Sequence, residues 1–192
     1  DSPYVIIDDA LPIDIYKKLS KSFPKPEKII GNNEYKENFA YRYNALNSLG
    51  DKEIPDEWKE FIKFHTSYNF LEEFYDIFGD SIKKIYKVEK ERLFTKDNIG
   101  VRFEKNNHFN LDCQFVINTP TSGDTSVIEP HLDNPVEFYA ALLYMKDVDD
   151  NSEGGNLTTY DFKDKPSFYG KSRVREENVN LIEEIEYKQN RL

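Results

Sequence analysis

Residues 130–146 read Pro130-His131-Leu132-Asp133-Asn134-Pro135-Val136-Glu137-Phe138-Tyr139-Ala140-Ala141-Leu142-Leu143-Tyr144-Met145-Lys146, and this stretch decides how the rest of the chain is read. His131 and Asp133 stand two apart. On a strand, residues i and i+2 point to the same face, so one imidazole and one carboxylate converge on a single point. They supply two corners of the facial triad used by non-haem Fe(II) oxygenases, two histidines and one carboxylate with open coordination positions. The pair alone is a weak signal, and the plain alternative is a His–Asp hydrogen bond at a strand end. The apolar run Phe138 to Met145 is expected to form a buried strand.

Working downstream, an acidic turn from Asp147 leads through Ser152-Glu153-Gly154-Gly155 into Asn156-Leu157-Thr158-Thr159-Tyr160. The two glycines permit a turn with positive φ before the next strand. Upstream, Asp112-Cys113-Gln114-Phe115-Val116-Ile117-Asn118-Thr119-Pro120 reads as a strand and turn. In this order the sequence resembles the Fe(II)/2-oxoglutarate-dependent oxygenases of the prolyl 4-hydroxylase type, in a bacterial or phage form. The resemblance covers roughly residues 110–192. It implies an α+β fold: a double-stranded β-helix, the jelly-roll sandwich, with N-terminal supporting helices. It implies a dioxygenase that couples oxidative decarboxylation of 2-oxoglutarate to succinate with hydroxylation of a C–H bond. His131 and Asp133 are then metal and catalytic residues. The Tyr144 hydroxyl stands where some members hold the distal carboxylate of 2-oxoglutarate, and Gln114 and Asn118 are further candidates for the cofactor pocket. For Tyr144 a core aromatic role is an equal reading, and for Gln114 and Asn118 a solvent-facing strand position is the better one. Fe(II) and 2-oxoglutarate are the expected cofactors, with ascorbate as a candidate reductant.

The family pattern also requires a second histidine on a later strand, followed by an arginine or lysine for the 2-oxoglutarate carboxylate. The remaining histidines, His65 and His108, both precede the motif. Glu186 to Leu192 reads as the approach to the strand that would carry the second histidine. The expectation is one oxygenase domain over residues 1–192, mainly helical support in 1–105 and the first part of the jelly roll in 106–192, with its C-terminal strands missing. The alternative is a non-catalytic jelly-roll binding module with an incomplete metal site.

The first half has a different periodicity. Tyr4 to Asp8 is β-prone. Pro12 opens a helix with Ile13, Tyr16, Leu19 and Phe23 on one face, closed by Pro24. Residues 32–49 read as irregular with one strand near Phe39-Ala40-Tyr41. Pro55 and Asp56 start a helix whose face is Trp58, Phe61, Ile62 and His65. Ser67 or Asn69 caps the next, with Glu72 placed as in a capping box; Phe70, Phe74, Ile77 and Phe78 line it and Gly79 is its natural stop. A weak third helix covers Ile82 to Glu89. Further strands are expected at Ser126–Glu129, Asn156–Phe162 and Val179–Glu186, with a polar surface excursion over 163–178.

Composition narrows the function classes. The 192 residues carry 26 basic against 36 acidic side chains, a net charge of −10, which argues against a general nucleic-acid or anionic-membrane binder. Aromatics at 15% are too many for a disordered chain. One cysteine, Cys113, excludes a disulfide framework within the chain and a multi-cysteine zinc site. No apolar run approaches the ~20 residues a membrane span needs. The expected partner is a small-molecule or peptide substrate, and the expected location cytoplasmic. No phosphate-binding glycine loop, Rossmann fingerprint or Ser/Cys nucleophile motif is present.

Overall fold

In the computed structural model, which describes residues 4–105, 107–121, 129–134, 137–147, 149–169 and 172–192, helices dominate the first half. The order is α1 (Ile13–Lys21), α2 (Pro26–Ile30), β1 (Ala40–Tyr43), α3 (Ala45–Gly50), α4 (Asp56–His65), α5 (Tyr68–Tyr86), α6 (Lys90–Leu93), β2 (Ile99–Val101), β3 (Phe109–Leu111), β4 (Phe115–Asn118), β5 (Leu157–Phe162), a 3-10 turn at Glu176–Asn178, and β6 (Val179–Ile185). Among the described residues the strands form three two-stranded sheets, β1 with β4, β2 with β3 and β5 with β6, none closed into a barrel. The chain divides into two compact units. One holds residues 22–35 and 41–117, the other residues 4–21, 36–40 and 118–192.

The first unit is built on aromatic side chains at helical spacing. Trp58 and Ile62, four apart on α4, are both buried. Trp58 takes the edges of Phe23, Phe61 and Phe115 at centroid distances of 5.7, 5.5 and 4.8 Å, the T-shaped geometry that ring quadrupoles favour. Phe94 closes a second cluster with Tyr68, Tyr75 and Phe109. The Ser67 hydroxyl accepts the Phe70 N–H at 3.2 Å and starts α5. Glu72 does not complete a capping box; it pairs with Tyr68 and Lys90 instead.

Two departures from the sequence expectation lie here. Helix α5 runs through Gly79 to Tyr86, taking in the start of the separate helix expected over Ile82–Glu89, and is capped by Lys87 in the left-handed conformation at φ 55°. Gly79 is needed for a close approach within the helix: a Cβ there would lie 2.7 Å from a Tyr75 ring carbon. The expected irregular stretch 32–49 ends in α3, capped by the Asn44 side chain accepting from the Asn47 N–H at 2.9 Å.

In the second unit β5 and β6 pair antiparallel from Leu157↔Ile185 to Phe162↔Val179, with an irregularity between Thr159 and Tyr160. Both expected strands are found here. The strand expected over 4–8 is reduced to one reciprocal pair, Ile7 and Leu192 exchanging N–H···O bonds of 2.8 and 2.9 Å. Ser126–Ile128 of the expected 126–129 strand lie outside the described residues. None of residues 137–147 is in a strand, contrary to the expectation for Phe138–Met145. Within that run, Tyr144 gains strand-like partners, donating to the Arg191 carbonyl at 2.8 Å and accepting from the Asn190 N–H at 3.1 Å. Among the described residues no helix is long and apolar enough to cross a membrane.

Asn190, 2% exposed, holds this region together. Its side chain accepts the Leu11 N–H at 3.0 Å and donates to the Leu11 carbonyl at 2.8 Å, while its own carbonyl accepts the Ala10 N–H at 3.0 Å. It sits at φ 55°, a region asparagine tolerates better than most residues. Asn190→Ala leaves both Leu11 backbone groups without these partners. The expected loss is about 2 kcal/mol of unfolding free energy, read from urea denaturation followed by circular dichroism; a loss no greater than that of an exposed control substitution contradicts this role.

His65 closes α4 against a wall of rings, with Phe61 at 4.0 Å, Phe70 at 4.8 Å and Phe64 at 5.2 Å, and its Nδ1 meets the Phe61 carbonyl at 2.8 Å. Burial pushes its pKa below the usual 6.5, partly offset by that carbonyl. The unfolded chain therefore takes up a proton at higher pH than the folded one. This contribution to stability is complete above pH 6.5 and is lost as pH falls through the folded value. Between pH 7.5 and pH 5.5 the urea midpoint of His65→Phe is expected to fall less than that of the wild type; equal falls would remove His65 from the pH dependence.

Candidate functional site

The site starts from a short antiparallel pairing. The Val174 N–H donates to the Pro130 carbonyl at 2.7 Å, the Leu132 N–H donates to the Ser172 carbonyl at 3.0 Å, and His131 lies opposite Arg173 between them. Pro130 has no N–H to place and is buried, as is Val174. With Leu132 turned away, alternation brings His131 and Asp133 to one side. Their Nε2 and Oδ1 atoms are 3.5 Å apart, with side-chain exposures of 36% and 60%.

The other imidazole nitrogen is also fixed. His131 Nδ1 meets the Glu129 carbonyl at 2.9 Å. Both neighbours only accept, and the Glu129 carbonyl at 2.9 Å is closer than the Asp133 carboxylate at 3.5 Å, so in the neutral ring the proton belongs on Nδ1 and Nε2 is the nitrogen left for an ion. An N–H anchored on a backbone carbonyl is the usual support of a metal-binding histidine. Two donors bound at ~2.1 Å to one ion lie roughly 3.0–3.4 Å apart for right-angle to tetrahedral arrangements. The observed separation is just beyond that, within a small rotation of either exposed side chain. A ferrous ion accepts this nitrogen and oxygen donor set. Among the described residues, no group of three His, Cys, Asp or Glu side chains comes together around it.

The other sequence candidates lie elsewhere. Tyr144 packs its ring on Tyr187 at 5.2 Å in a T-shaped contact. Burial raises its pKa and pushes that of Tyr187 up to about 12, so both phenols stay protonated. Among the described residues no contact joins Tyr144 to His131 or Asp133. Gln114 belongs to the first unit, where its amide donates to Asp112 and accepts from Arg42. Asn118 is exposed at the end of β4. His108 is exposed, its N–H donating to the Asn98 carbonyl at 3.0 Å. Loss of hydration pushes the Cys113 thiol up to about 12, with the Asp112 carboxylate adding to it, which leaves the thiol unreactive at neutral pH. Gly154 and Gly155 adopt φ of 81° and 77°, as the turn into β5 requires.

Three functional-looking side chains were not foreseen. The Glu129 carboxylate accepts from the Tyr169 hydroxyl and lies 3.3 Å from Arg173 Nη1. Tyr169 and Arg173 sit in the stretch whose polarity reads as a solvated excursion. The available signal was alternation, since Glu129, His131 and Asp133 share one parity.

No protein-family model, curated protein or solved structure matches the chain.

The anchoring of His131 has a direct spectroscopic consequence. In the neutral ring, long-range ¹H–¹⁵N correlation should show the proton on Nδ1. A spectrum placing it on Nε2 would mean that the Glu129 carbonyl does not orient the ring and that Nε2 is not left for an ion.

Proposed function

We propose that the chain carries the iron-binding motif of an Fe(II)/2-oxoglutarate-dependent dioxygenase built on a jelly-roll scaffold, acting on a small-molecule or peptide substrate in the cytoplasm. The observation that carries the reading is the 3.5 Å approach of His131 Nε2 to Asp133 Oδ1 with Nδ1 already engaged by the Glu129 carbonyl. The order of residues from Asp112 to Tyr160 supports it independently. His131 gives the nitrogen ligand and Asp133 the anionic one. Iron and 2-oxoglutarate, when bound, would let O₂ act as the oxidant: one oxygen atom would enter succinate as 2-oxoglutarate loses CO₂ and the other would enter the substrate C–H bond, with ascorbate as an auxiliary reductant.

What the chain itself contributes is placement. The paired backbone at 130–132 and 172–174 sets the spacing of the two ligands before any ion arrives. The Glu129 carbonyl keeps the proton off the ligating nitrogen. Asp133 offsets part of the ion's charge and, being exposed, loses little hydration before binding.

Metal binding tests this without depending on turnover. Mn(II), a spectroscopic substitute for Fe(II), should bind the wild-type chain, and Asp133→Ala or His131→Ala should weaken it at least ~10-fold, read by electron paramagnetic resonance. Unchanged affinity in both variants sinks the metal site. With Fe(II), ascorbate and O₂, wild-type protein should convert 2-oxoglutarate to succinate and Asp133→Ala should not. Metal binding without conversion would favour the non-catalytic binding module.

A further inference from the structure

The face that carries His131 also carries a bound carboxylate, supplied by the protein itself. Glu129 places its side chain between the Tyr169 hydroxyl, which donates to it, and the Arg173 guanidinium, 3.3 Å away at Nη1. The sequence does not make these three neighbours: Tyr169 and Arg173 are 40 and 44 residues beyond Glu129. Backbone pairing assembles them. Arg173 lies directly across from His131, and directly opposed residues of an antiparallel pair project to the same face. Tyr169 in turn lies across from Arg173, its N–H donating to the Arg173 carbonyl at 2.9 Å. The guanidinium of Arg175 sits 6.0 Å from the centroid of the Tyr169 ring and adds positive charge to this side.

The grip on Glu129 is incomplete in a way that suits exchange. A guanidinium offers five N–H donors and holds a carboxylate best through two parallel bonds. Here one nitrogen makes a long contact. Arg173 and Glu129 are 59% and 51% exposed, and an ion pair this open to water contributes little. Another carboxylate can therefore replace that of Glu129 at small cost. Glu129 also accepts the His131 ring proton through its backbone, so the displaced side chain leaves the ring's anchor in place.

We propose that Tyr169 and Arg173 form a carboxylate-binding anchor beside His131 and Asp133, and that Glu129 occupies it as an internal stand-in until a carboxylate of the substrate displaces it. The dioxygenase reading enters only in what the captured carboxylate is for; the anchor itself stands on the contacts above. It narrows the substrate class to molecules with a carboxylate a short distance from the reacting carbon.

The anchor is tested with succinate as probe, titrated into metal-free protein and followed by ligand-observed NMR. Glu129→Gln removes the internal competitor and keeps the backbone carbonyl. Succinate should bind it about 5-fold more tightly than wild type. Arg173→Gln should weaken succinate binding at least ~10-fold, and Tyr169→Phe about 3-fold. The opposite signs separate an anchor from local structural damage, which would weaken binding in every variant. Overturning results are Glu129→Gln binding succinate no more tightly than wild type, or Arg173→Gln binding it equally well. Repeating the titration with Mn(II) and saturating 2-oxoglutarate separates substrate from co-substrate. Exclusion of succinate would place the anchor in the co-substrate's site and overturn the proposal, and continued binding supports it. Failure of 2-oxoglutarate to bind with Mn(II), while the metal-free results hold, counts against the dioxygenase reading and leaves the anchor standing.

Discussion

Two backbone hydrogen bonds, Val174 to Pro130 and Leu132 to Ser172, set everything that is chemically distinctive here. They are few, but each end is fixed. Pro130 and Val174 are buried, so the pairing is held from below by apolar packing and not by a long ladder. Once these residues are extended and opposed, the rest is geometry. His131 and Asp133 fall on one side by alternation, and Arg173 falls on the same side by opposition. A one-residue slip of this register would turn His131 away and bring Leu132 into its place. The site thus depends on register more than on any single polar contact within it.

The surrounding unit solves its backbone accounting largely with side chains. Buried N–H and C=O groups need partners, and a short sheet cannot supply them all. Asn190 stands in for a strand at Leu11, making the two bonds an opposed residue would make. The Tyr16 hydroxyl does similar service for the Lys146 carbonyl at 2.8 Å. These devices explain how Tyr144 is held between the residues around Asn190 and α1 although the run it belongs to forms no strand. Apolar, β-prone composition describes what a segment can bury. Whether it becomes a strand depends on a partner that pairs along its length, and the exchange of Tyr144 with Asn190 and Arg191 is a local one.

The same distinction separates what was legible in the sequence from what was not. Helices α1, α4 and α5 were legible because their signals are local: apolar residues at three- and four-residue spacing, and Ser67 as a cap. Strands β5 and β6 were legible from composition and flanking turns. The end of α5 is not legible at Gly79, where the residue that can stop a helix instead admits the Tyr75 ring, and Ile82 beyond it is buried within the same helix. The approach of His131 to Asp133 follows from adjacency and alternation. Glu129, Tyr169 and Arg173 form their cluster across 40 to 44 residues, and no local pattern encodes which polar residue of a loop will face which strand.

Charge placement gives the site its character. A buried His–Asp pair with every atom satisfied would stabilise the fold and resist a ligand, because removing the partners from each other would leave unpaired charge in a poor dielectric. His131 and Asp133 are the opposite case: exposed, 3.5 Å apart, and joined too loosely to contribute much to folding. Glu129 and Arg173 are alike in this respect, more than half exposed and joined by one long contact. Stability therefore does not account for four ionisable groups gathered on one side of a short pairing whose buried anchors, Pro130 and Val174, alternate to the other side. Groups held in register by the backbone but weakly by one another keep their hydrogen-bonding and coordinating capacity for something that arrives from solution, and the two halves of the cluster differ in what they can receive: a cation between His131 and Asp133, an anion at Arg173 and Tyr169.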